Sequence, residues 1–113
     1  MSKRTPNLLL EDIIDAANKI LDYTQELSFE DFSEDNKSID AVCRNFEIIG
    51  EAANRLPDEF RVQNDGIDWH RIRGFRNRIV HEYFGVDLQI LWNIKEHHIL
   101  QLIEEITRLQ ERI

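Results

Sequence analysis

Arg76, Asn77, His81 and Tyr83 fall within eight consecutive positions, Arg-Asn-Arg-Ile-Val-His-Glu-Tyr. On a helix Asn77 and His81, four apart, share one face, while Arg76 and Tyr83, seven apart, share another. The two stripes lie about 100° apart at 3.6 residues per turn, so one groove can see all four side chains. Arg73, four residues before Asn77, extends that surface. These residue types suit phosphate chemistry. A guanidinium fork grips a phosphodiester bidentately and steadies charge building on it. An imidazole titrates near neutrality and can move a proton to or from a ribose hydroxyl or a leaving oxygen. An asparagine can fix the histidine or a phosphate oxygen. The plainer alternative is a solvated basic helix face paired with acids, of which the chain has many.

No Cys/His/Asp set shows ligand spacing, and His97 and His98, adjacent on a helix, are expected to point apart. A site without metal or cofactor is therefore expected. The single cysteine, Cys43, has no partner for an internal disulfide and sits in an apolar helical stretch, which reads as a small buried hydrophobe.

Charge singles out the same segment. The chain carries −8 overall. Trp69 to Tyr83 holds four arginines and one acid, Glu82, for a local +3, which leaves −11 for the rest. A general nucleic-acid binder usually carries a basic excess, so the global balance speaks against one. No apolar run approaches the roughly 20 residues that span a bilayer. Glu11 and Asp12 interrupt any leader-type stretch. A cytoplasmic protein that makes no use of a membrane is the expectation.

The elements that must position this segment are helices. The 113 residues suffice for one domain, 1–113, and only four glycines and two prolines punctuate it. Thr5-Pro6 opens a first helix whose apolar stripe, Leu10, Ile13, Ile14, Ala17, Ile20 and Leu21, carries it to about Leu27. Ser28 to Phe32 reads as a short capped turn anchored by two phenylalanines. A second helix runs from about Lys37 to Leu56, stopped by Pro57, and Asp58 to Gln63 adds a short piece. Asp68 caps a third long helix, Trp69 to about Tyr83, and Asp87 caps a last one, about Leu88 to Arg112. Gly50 and Gly74, both mid-helix, predict a close crossing of the second and third helices. The sum is an all-α, four-helix-type bundle with short extra turns. In the second helix Arg44, Glu47 and Glu51 share a polar stripe, which is either a surface ion-pair ladder or a set that orients Arg76 or His81. Glu47 is the candidate for the second role.

Arg76-Asn77-x-x-x-His81-x-Tyr83 resembles the Arg-x4-His-x-Tyr signature of HEPN-domain ribonuclease toxins of the HepT type. The likeness extends to Arg44 through Ala53 with its Ile49-Gly50-Glu51-Ala52-Ala53 core, to Trp69-x-x-Ile72 and to Tyr83-Phe84-Gly85-Val86-Asp87. It covers roughly Leu10 to Leu102, with no departure at the motif positions. The resemblance implies a homodimeric HEPN fold that cleaves RNA without metal. It also implies an MntA-type minimal nucleotidyltransferase partner, the antitoxin of a type VII toxin–antitoxin system, which transfers AMP from ATP to a tyrosine. On this resemblance Arg76 and His81 take the catalytic positions, Tyr83 the modified one, and Asn77 the polar position beside the arginine. Each protomer then offers one motif histidine, whereas attack by a ribose 2′-hydroxyl wants a base and an acid. A two-fold axis near the motif would supply both. The competing expectation is an idle helical module, or a substrate subunit, that docks a nucleotidyltransferase.

Overall fold

The structure, a computed structural model, describes residues 4–81 and 87–113, and for 76–81 the backbone alone. Among the described residues there are seven helices and no strand. Helix α1 spans Pro6–Thr24, α2 Phe29–Glu34, α3 Asn36–Arg55, α4 Asp58–Gln63, α5 Trp69–His81, α6 Leu88–His97 and α7 Ile99–Arg112. The all-helical bundle expected from the hydrophobic periodicity is what forms.

Short polar side chains set most helix starts. The Thr5 hydroxyl accepts from the Leu8 N–H at 3.3 Å, with Pro6 at the first helical position. Ser28 and Asp31 form a reciprocal capping box on α2. The Asp35 carboxylate accepts from the N–H groups of Lys37 and Ser38 and from the Ser38 hydroxyl, bonds that hold its pKa below the ordinary value. Asp68 and Asp87 accept from Arg71 and Gln89 at the starts of α5 and α6. At the other end of α3, Arg61 closes the helix from α4. Its guanidinium donates to the carbonyls of Ala53, which also accepts from the Leu56 N–H, and of Leu56 at the helix end.

The core lies between α1, α3 and α5, with α7 closing it along α1. Leu10, Ile13 and Ile20 of α1, Phe46 and Ile49 of α3, and Ile106 and Leu109 of α7 are wholly buried. Cys43 is buried among them, as its apolar setting predicts. Burial, then the nearby Asp40 and Glu47, pushes its thiol up to about 11. The two phenylalanines of α2 anchor as expected. Their partner is Trp92 of α6, whose ring centroid lies 6.0 Å from Phe29 and 5.3 Å from Phe32.

Three expectations change. Helix α1 ends at Thr24 rather than about Leu27: the Thr24 hydroxyl donates to the Ile20 carbonyl, and the chain turns to present Ser28 as the next N-cap. The last helix is two helices, broken at His98, where φ is −127° and ψ −24°. The break lets α6 lay Trp92 on α2 while α7 follows α1, and it slips the apolar stripe so that Ile99 becomes buried. Finally, α3 and α5 do pack together, but not through Gly74. A methyl group built there would meet nothing within 4 Å. The contact is made by Phe46 and Phe75, edge to face at 5.2 Å, and by Arg73, whose Nε and Nη2 both donate to Asn54 Oδ1 at 3.2 and 3.0 Å.

Candidate functional site

Helix α5 carries the motif. Its backbone is helical without interruption through His81, so Arg76, Asn77 and His81 occupy its last two turns. His81 lies five positions beyond Arg76, a rise of about 7.5 Å along one rigid element. The side chains of Arg76, Asn77 and His81, and Tyr83 as a whole, lie outside the described residues.

Arg73 is described, and it is already engaged. It reaches across to Asn54 of α3 instead of standing clear on the motif face. Sequence reading missed Asn54. The one available signal was its place seven residues after Glu47, on the same edge of α3. Glu47 itself is half-buried, beside Arg44, Glu51 and Arg55 and across from Leu9 and Asp12 of α1, in a groove of about 400 Å³. Arg73 on Asn54 and Phe75 on Phe46 bracket the antiparallel register of the two helices. Glu47 and Asn54, seven residues apart, share one edge of α3, and of the two Asn54 is the one seen in contact with α5.

The other flank of α5 was not anticipated. Between α5 and α6, over Phe46 of α3, lies a cavity of about 430 Å³. Phe46, Phe75, Leu91 and Ile94 form its apolar wall, and His70, Arg71, Asn93 and His98 its polar one. Gly74 lines it, which is why a side chain there would meet open space. Its size falls within the roughly 300–1,000 Å³ common for small-ligand sites. The His98 imidazole is held below its ordinary pKa by burial first, then by Arg71 and by neighbouring His97. The two histidine rings lie 6.5 Å apart at the helix break, not on opposite sides of one continuous helix. Among the described residues, no three His, Cys, Asp or Glu side chains gather as a metal-binding group would. Among them too, no helix is long and apolar enough to cross a membrane.

Fold and site together define a small helical domain built around one arginine- and histidine-bearing helix. The chain belongs to the Ribonuclease HepT-like family, whose pattern matches residues 13–109. It is 38% identical over 109 residues to the "Probable ribonuclease HepT" of Thermococcus cleftensis, covering 96% of this chain and 99% of that one. It is 36% identical over 110 residues to a "Putative RNase" of Caldanaerobacter subterraneus subsp. tengcongensis, covering 97% and 92%. A "Gamma-glutamylcyclotransferase and putative RNase" of Methanocaldococcus jannaschii is 34% identical over 111 residues, which are 98% of this chain and 50% of that protein. No solved structure matches this chain.

Proposed function

We propose that this chain is a metal-independent endoribonuclease, the toxin of a type VII toxin–antitoxin pair, with Arg76 and His81 as its catalytic residues. Membership of a ribonuclease family supports the reaction class. The observation that carries the residue assignment is the unbroken helix through His81, which holds both positions on one element at fixed spacing.

Two copies meet with their α5 helices near a two-fold axis, so that one cleft holds two histidines and two arginines. One His81 accepts the proton of the ribose 2′-hydroxyl while the 2′-oxygen bonds to phosphorus. The bond to the 5′-oxygen breaks, and the second His81 protonates that oxygen. The products are a 2′,3′-cyclic phosphate and a 5′-hydroxyl. Arg76 steadies the charge on the phosphoryl oxygens, Asn77 holds a phosphate oxygen or the imidazole, and Glu47 positions Arg76 from across the helix pair. Arg73 supports the cleft by tying α5 to Asn54 rather than by binding phosphate. The protein works in the cytoplasm. Silencing comes from an MntA-type minimal nucleotidyltransferase: the Tyr83 oxygen attacks the α-phosphorus of ATP and releases pyrophosphate. The attached AMP blocks RNA from a cationic cleft by bulk and by charge.

The deciding test is expression of the chain alone. Growth arrest by wild type, lost in His81→Ala and Arg76→Ala, with RNA ends carrying cyclic phosphate, is the expected result. Ends bearing a 3′-hydroxyl, or full activity in monomers, would defeat the mechanism. The alternative is an idle module that docks the nucleotidyltransferase, favoured by the −11 charge outside the motif segment. It predicts equal tolerance of wild type and variants. Intact mass after co-expression with a neighbouring nucleotidyltransferase tests the silencing: AMP-sized increments should vanish in Tyr83→Phe.

A further inference from the structure

The cavity between α5 and α6 has a composition at odds with the chain around it. The protein is acidic, yet the described lining of this cavity holds Arg71, His70 and His98 and no carboxylate. Acids do stand nearby. Asp68 and Glu105 line an adjoining recess of about 260 Å³, and Arg71 and His98 border both spaces. Beneath Arg71 the half-buried Phe75, packed edge to face on the buried Phe46, presents aromatic surface, and Gly74 adds no side chain to fill the space. An apolar aromatic floor under a cationic, hydrogen-bonding wall suits one kind of occupant, a flat aromatic body carrying an anion.

Position connects this cavity to the motif. His70, Gly74 and His81 stand at i, i+4 and i+11 and so fall on one stripe of α5. From Gly74 to position 81 the helix rises about 10 Å. A chain of nucleotides lying along this stripe reaches the cavity and the histidine position together. A second copy of this chain is a poorer occupant, because an isologous contact centred here would set Arg71 against its own equivalent.

We propose that this cavity is a nucleotide subsite for single-stranded RNA. One unstacked base rests on the half-buried Phe75, which Phe46 backs from the core, Asn93 hydrogen-bonds its edge, and its phosphate lies on Arg71 with His98 beside it. The proposal rests on the ribonuclease reading above and adds where the substrate is gripped and where base preference arises. Single-stranded RNA is commonly held this way, by aromatic stacking and cations, with few phosphate contacts needed when each base is seated. That resolves how an acidic protein holds a polyanion.

The probe is a short fluorescent oligouridylate with 2′-O-methyl sugars, which the 2′-hydroxyl mechanism cannot cleave, titrated onto the full-length chain by anisotropy. Gly74→Leu extends into the cavity from a position where a Cβ meets nothing within 4 Å, and should weaken binding about 5- to 100-fold, the range base–aromatic stacking spans. Arg71→Gln should weaken it comparably and reduce the salt dependence by about one phosphate contact. It alters an exposed side chain, so it decides the matter if Gly74→Leu fails to fold. Leu100→Ala, on the exposed face of α7, should bind as wild type does. Unchanged affinity in both cavity variants, while wild type binds and His81→Ala abolishes cleavage, overturns the subsite and leaves the nuclease reading standing. A wild type that neither binds nor cleaves RNA overturns both. If Gly74→Leu turns a dimer into monomers in ultracentrifugation, the cavity belongs to an interface between copies and the subsite is overturned.

Discussion

Replacing Gly74 by alanine should make the protein more stable. A mid-helix glycine is about 0.5–1 kcal/mol worse than alanine, through backbone entropy in the unfolded chain. That gain is realised only if the new methyl group fits. At Gly74 it meets no atom within 4 Å, because the position opens on the α5–α6 cavity and not on α3. The packing penalty is therefore near zero, and the helix term survives almost whole. For a chain of this length the unfolding entropy is on the order of 240 cal/mol/K, so the melting temperature should rise by about 2–4 °C. Differential scanning calorimetry at two protein concentrations separates this from any shift in association, because an oligomer's melting point moves with concentration. A fall in melting temperature would refute the reasoning, since it would mean that the glycine is pressed against something after all.

Asn54→Ala removes the acceptor of the two Arg73 hydrogen bonds and should destabilise by about 1 kcal/mol, a charge-assisted bond discounted for its exposed edge, as a lower urea midpoint. The Cys43 thiol, with its folded pKa near 11 against an ordinary 9.0, favours folding below pH 9 and loses that contribution as pH rises through 11. A disulfide reagent at pH 8 should accordingly modify the native protein far more slowly than the urea-unfolded one. The His98 pKa is shifted the other way, down from 6.5, with Arg71 and His97 as nearby cations and Asp68 and Glu105 as the acids of the adjoining recess. Its contribution is complete above pH 6.5 and lost as pH falls through the folded value, so melting temperatures of wild type and His98→Gln should diverge less at pH 5 than at pH 7.5.

Much of this architecture was legible because it follows from local rules. The periodic stripes of α1 and α3, the caps at Thr5, Ser28, Asp68 and Asp87, and the burial of Cys43 each follow from spacing or from a short polar side chain. The break at His98 was not. The stripe Leu91, Ile94, Leu102, Ile106 continues at helical spacing straight through it, and only the need to pack α6 on α2 and α7 on α1 forces the chain to turn. Gly74 misled for a related reason. A glycine in a helix signals close approach or open space equally well, and sequence alone does not say which neighbour faces it. Asn54 was passed over because its partner, Arg73, lies on another helix, beyond the reach of any local pattern.

Helix α5 has two flanks with different neighbours, and that division has a consequence for catalysis. Along one flank α3 presents Asn54, which holds Arg73, and, seven residues earlier, Glu47, the proposed support of Arg76. Along the other, α6 and the helix break at His98 frame the cavity that Arg71 borders. On the proposed mechanism, changes on the α3 side act on how Arg76 is held while charge develops, so Glu47→Gln should lower kcat with little effect on KM. Changes on the α6 side act on how the substrate is seated before reaction, so Arg71→Gln should raise KM and alter base preference more than kcat. If the two flanks work independently, the double variant should show the product of the two single losses in kcat/KM. A double loss much smaller than that product would mean that seating the base and holding the arginine are one event, transmitted through the Phe46–Phe75 contact that joins both flanks.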